Sequence, residues 1–154
     1  MIVVFDSSVL VPLILDASHS TALFRRLISA GHLIVASPAL FDEVARKLRT
    51  KASLRRWLNL PDDQIERFLA DLATLLVFVP GALAIPGAVP DDPDDDVVIA
   101  AAVESQADFI VTEDRHLLNL GVWQAIRILD RATFARELDK LGVPDLPYFG
   151  GRGT

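Results

Sequence analysis

Short apolar runs rich in β-branched residues alternate along this chain with segments whose apolar residues recur at helical spacing, and that alternation constrains the fold more than any other feature. Residues 2–5 (IVVF), 32–37 (HLIVAS), 76–79 (LVFV), 109–112 (FIVT) and 126–129 (IRIL) read as strands. Most are nearly continuous apolar runs and not period-two alternations, so they are expected to be covered on both faces. Between them lie helices. The first is capped by Ser18 or Ser20, carries Leu23, Phe24, Leu27 and Ile28 on one face, and stops at Gly31. Pro38 opens the next, with Phe41, Val44 and Leu48 in phase, followed by a cationic helical segment over 52–58. A further helix starts near Pro61, with Asp62 or Asp63 at its cap. A strongly apolar one runs over 97–103, opened by Asp94 or Asp95. A short helical stretch is expected over 116–120 and a last helix over 132–141, ended by Gly142. Residues 80–93, rich in Gly, Pro and Ala, read as a loop. The expected architecture is α/β, a central parallel sheet of about five strands with helices on both faces. One domain over 1–142 and a loosely ordered tail over 143–154 are expected.

Composition removes several kinds of chemistry. With no cysteine among 154 residues, disulfides, thiolate zinc sites and a Cys nucleophile are excluded. His19, His32 and His116 show no helical ligand spacing, so a bound metal would be held mainly by oxygen, which favours Mg²⁺ or Mn²⁺. No apolar window approaches the roughly eighteen residues of a bilayer span. Residues 1–10 lack the cationic start of a secretory signal, so a cytoplasmic protein with no membrane partner is expected.

The net charge of −6 argues against binding nucleic acid through bulk charge, but the charges are segregated. Arg46, Lys47, Arg49, Lys51, Arg55 and Arg56 form a run free of acids, a candidate track for an RNA backbone. Residues 91–96 carry five aspartates around Pro93. In open α/β sheets ligands bind at the carboxyl ends of the strands. Asp6 follows the first strand directly and Asp114 follows the fourth by two residues. Glu43 lies early on the helix after the second strand, and Asp95 opens the 97–103 helix. Right-handed crossovers would bring all four to one rim, where their mutual repulsion calls for a divalent cation. Each also has a plainer role open to it, as an Asx turn, a helix cap or a solvated first-turn acid.

At these residues the chain resembles the PIN-domain family, in the branch of toxins from type II toxin–antitoxin pairs. The resemblance is carried by Asp6-Ser7-Ser8-Val9-Leu10 after an apolar strand and by Ser37-Pro38 with Glu43 and Leu48. It continues in Asp92-Pro93-Asp94-Asp95 with Ile99 and Ala102, and in Ala107 through Asp114 with Leu117-Leu118. It runs from residue 1 to about 120. The resemblance implies a Mg²⁺- or Mn²⁺-dependent endoribonuclease with Asp6, Glu43, Asp95 and Asp114 as catalytic and metal-binding acids. Asp96 is the alternate register for the third. Ser8 and Thr112 stand where relatives carry small polar residues that orient the acids. Many relatives have a further acid where this chain has His116, so the resemblance does not imply a fifth ligand here. His116 is then either a contact to substrate phosphate or an ordinary core or surface histidine. The implied partners are an RNA substrate, an antitoxin protein and a second copy in a homodimer. Two other readings stay open: a catalytically inactive PIN-like scaffold binding RNA or protein, and an Asp-based phosphatase or phosphotransfer domain. A haloacid-dehalogenase phosphatase would need an acid at Ser8, and a receiver domain would need paired acids and a later Lys.

Overall fold

The computed structural model describes residues 1–15, 18–50 and 59–145. Its centre is a six-stranded sheet in the order β3-β2-β1-β4-β6-β5. The strands are β1 (Ile2–Phe5), β2 (Leu33–Ala36), β3 (Val77–Phe78), β4 (Phe109–Val111), β5 (Val122–Trp123) and β6 (Ile126–Leu129). Five of them run parallel, as the sequence led us to expect. The sixth, β5, escaped sequence reading. It pairs antiparallel with β6 through a two-residue turn in which Gln124 takes φ 52°. A strand of two residues is too short to show periodicity.

Val3, Val4 and Phe5 of β1 and Ile110 and Val111 of β4 are fully buried, which accounts for their unbroken apolar sequence. The helices are α1 (Ser7–Leu10), α2 (His19–Ser29), α3 (Pro38–Thr50), α4 (Asp62–Leu75), α5 (Asp96–Glu104), α6 (Arg115–Leu118) and α7 (Arg131–Lys140). Helices α2 and α7 cover one face of the sheet, through edge-on ring contacts of Phe24 with Phe5 and Phe134 with Phe109. Helix α5 packs against β1, β2 and β4. Its buried face of Val98, Ile99, Ala101 and Ala102 covers the side of the sheet to which Val4 and Ile110 turn. Helix α1 and the 3₁₀ turn after it, Val11–Ile14, were not read from the sequence. The cationic segment expected over 52–58, with Lys51, lies outside the described residues, as do 146–154 of the expected tail.

Helix ends follow their local chemistry. Gly31 (φ 77°) and Gly142 (φ 72°) close α2 and α7 in matching Schellman arrangements. His32 N donates to Leu27 O and Val143 N to Leu138 O, each at 3.0 Å. Packing continues past residue 142: Val143 is buried and its carbonyl accepts from Arg26 Nε at 3.1 Å. Asp130 caps α7, accepting from Thr133 N at 2.7 Å. Asp130→Ala should therefore cost about 1 kcal/mol in urea unfolding, the usual worth of such a cap. No measurable change would mean that water replaces the cap at no cost.

Candidate metal centre

The chain order reverses beside β1: β2 and β3 lie to one side, β4 and β6 to the other. This is the switch point at which α/β sheets open a crevice at their carboxyl edge. Asp6 leaves the end of β1 there, its backbone N–H tied to Val111 O of β4 at 3.0 Å. Thr112 and Asp114 leave the end of β4 one strand away. Ser37 and Pro38 turn the chain from β2 into α3, which carries Glu43. Asp92 caps the 3₁₀ turn Pro93–Asp95, and that turn delivers Asp95 to the start of α5.

Asp6 is buried and held on both oxygens. Ser7 N donates to Oδ1 at 2.6 Å, while the hydroxyls of Ser8 and Thr112 each donate to Oδ2 at 2.8 Å. The same two hydroxyls accept from the next loop, Ser8 Oγ from Glu113 N at 3.0 Å and Thr112 Oγ1 from Asp114 N at 2.9 Å. Ser8 and Thr112 thus join the Asp6 carboxylate to the backbone bearing Asp114. Asp114 caps α6 by accepting from His116 N at 2.8 Å through Oδ1. Glu113 fastens this loop from outside, accepting from Arg131 N and Nε, both at 2.9 Å.

Asp95 is 6% exposed, and its Oδ2 is buried without a hydrogen-bond partner. Burial pushes its carboxyl up to about 7, reinforced by the charges of Asp114, Asp6, Asp92 and Glu43. Five acids from four separate segments therefore act on one point. Asp96, one residue on, does something else. Its carboxylate accepts from Gly87 N at 2.8 Å and Val89 N at 2.7 Å and so ties down the 80–89 loop. The Asp95 register turns into the cluster and the Asp96 register into the loop.

Oxygens of Asp92, Asp95 and Asp114 and a nitrogen of His116 all lie within 4.8 Å of one another. Asp92 was not singled out from the sequence. Its one local signal is its place before Pro93, where an Asx cap opens a 3₁₀ turn. An unpartnered buried oxygen, hard oxygen donors and crowded negative charge fit a divalent cation.

The basic run is divided by the fold. Lys47 turns into the site, with Nζ 2.6 Å from Ser7 Oγ and 3.3 Å from Glu43 Oε1. Arg49 makes a two-point ion pair with Glu66 of α4, at 2.7 and 2.8 Å. Arg46 is exposed on α3. Lys51, Arg55 and Arg56 lie outside the described residues.

A family model described as PIN domain matches residues 2–116. No curated protein matches the sequence significantly. Solved structures that share the fold at low identity include these two. One is VapBC2 from Rickettsia felis bound to a DNA fragment from their promoter, with 13% identity and TM-score 0.62, covering 84% of this chain and 98% of that one. The other is PAE2754 from Pyrobaculum aerophilum, with 18% identity and TM-score 0.58, covering 90% and 89%.

Proposed function

The chain belongs to the PIN-domain family, and from that premise we propose that it is a Mg²⁺- or Mn²⁺-dependent endoribonuclease, the toxin of a toxin–antitoxin pair. The observation that carries the reading is Asp95, a buried carboxylate with an unpartnered oxygen among four other acids. Such an arrangement is costly unless a cation neutralises it. Asp6, Glu43, Asp95 and Asp114 would hold the cation and carry catalysis, within a nuclease domain over residues 1–142. Ser8 and Thr112 aim the Asp6 carboxylate by donating their hydroxyls to it. Lys47 balances Glu43 and is close enough to meet a phosphate. A bound cation supplies charge stabilisation to a phosphodiester and lowers the pKa of water at the site. The fold likeness to VapBC2 supports the toxin reading and an antitoxin partner. A second copy as partner and the cytoplasm, where RNA is met, as its place belong to the same proposal. No described helix is long and apolar enough on its own to cross a membrane.

The test is direct. With Mg²⁺ or Mn²⁺ the protein should cut a single-stranded RNA internally, and EDTA should leave that RNA intact. Cleavage that survives exhaustive chelation overturns the proposal.

RNA binding by an acidic protein must come from a patch, and we propose that Arg46, Lys47, Arg49, Lys51, Arg55 and Arg56 form it. Arg46→Gln should weaken binding of unrelated RNAs alike and lower the log–log salt slope by about 0.7, the value of one single-strand phosphate contact. An unchanged slope would remove Arg46 from the track.

A further inference from the structure

We infer that His116, together with Asp92, joins Asp95 and Asp114 around the proposed cation as a nitrogen ligand, and that it biases this site toward Mn²⁺ over Mg²⁺. The inference rests on the reading of the cluster as a cation site and names its selectivity.

His116 Nδ1 lies 3.6 Å from Asp92 Oδ2 and 3.7 Å from Asp114 Oδ1. Neither distance is that of a hydrogen bond. Both suit donors that share one ion, since metal–oxygen bonds of about 2.1 Å set opposite donors at roughly 4.2 Å and adjacent ones nearer. The backbone beneath these donors is also held. The backbone N–H of His116 is held by the Asp114 carboxylate at 2.8 Å, and Asp92 Oδ1 accepts from Asp94 N at 3.2 Å, which leaves Oδ2 toward the imidazole. Independently of the acids' number, Asp95 belongs to the same group of donors and its buried Oδ2 has no protein partner. An imidazole that ligates through Nδ1 must be neutral, with its proton on Nε2. Replacing an oxygen donor by imidazole nitrogen penalises Mg²⁺, which is bound by oxygen and gives up water reluctantly. The softer transition ions accept nitrogen readily.

The experiment uses the full chain loaded with Mn²⁺ and read by electron spin echo modulation, which detects ¹⁴N bound to the ion. Wild type should show nitrogen modulation. His116→Ala should lose it while still binding Mn²⁺ through the acids, and His19→Ala should keep it. In calorimetric titrations, His116→Asp should lower the preference for Mn²⁺ over Mg²⁺ by about tenfold or more, since even outer partners of metal ligands are worth 10–100-fold in affinity. Bound Mn²⁺ without nitrogen modulation in wild type, or modulation that persists in His116→Ala, overturns the nitrogen ligand and leaves the cation site standing. If neither Mn²⁺ nor Mg²⁺ binds, both readings are overturned.

Discussion

Asp95→Asn is expected to lower RNA cleavage by about a hundred- to a thousandfold, the scale at which losing one well-placed charge-stabilising group at a reacting centre is felt. The substitution leaves shape and volume nearly unchanged and removes a full charge from the most crowded point of the cluster. Asp114, Asp6, Asp92 and Glu43 all bear on that charge. In the cation-free protein the same change relieves repulsion, so the variant should unfold at a higher urea concentration than wild type near pH 8. Asp96→Asn is the internal comparison. Asp96 accepts backbone N–H groups from Gly87 and Val89 on separate oxygens, and an amide keeps only one of those acceptors. It should cost about 1–3 kcal/mol of stability and much less activity than the change at Asp95. Steady-state cleavage and urea unfolding on both variants decide the matter. If Asp96→Asn is the inactive protein and Asp95→Asn cuts normally, the roles of the two aspartates are reversed.

That pair also marks the limit of what could be read from the sequence. The central strands β1, β2 and β4 were legible because burial leaves nearly unbroken apolar runs. Strands β3 and β6 were legible from composition although both carry exposed positions. Asp6 was legible because it follows an apolar run directly, and Asp114 because it follows one by two residues. Within residues 91–96 every acid looks alike. The 3₁₀ turn at Pro93–Asp95 decides which carboxylate faces the other acids, and Asp92 is brought in by capping that turn. Nothing local announces this. The basic run is a similar case. Helical periodicity places Arg46, Lys47 and Arg49 on one helix, but only the packing of α4 gives Arg49 to Glu66, seventeen positions away. Lys47 meets Ser7 only because α1 lies against α3. Pairings between distant segments were the part that periodicity could not supply.

Stability should report the crowded carboxylates without any substrate. The Asp95 carboxyl titrates near 7 in the fold, against about 3.9 for an unfolded aspartate. A raised value means that the folded chain binds this proton more tightly than the unfolded chain does. Its favourable contribution is therefore fully present below pH 4, is lost as pH rises from 4 to 7, and stays lost above. Three units would correspond to about 4 kcal/mol in full. Asp92 and Asp114 at the rim are about a third exposed, and screening there reduces the expected loss to about 2 kcal/mol. Other carboxylates titrate in part of the same window, so the quantity to follow is the difference between wild type and Asp95→Asn, both free of cation. Wild type should lose about 2 kcal/mol relative to the variant between pH 4 and pH 8. A saturating divalent cation should reverse this loss at pH 8. At a hundred times its dissociation constant it contributes about 2.7 kcal/mol, or roughly 5–10 °C in Tm for a domain of this size. The rise should shrink toward pH 5, where protons compete for the same oxygens. A constant difference between the two proteins across the range would show that Asp95 is already ionised without a cation. The carboxylates would then be balanced within the protein itself, Lys47 beside Glu43 being one described cation able to contribute.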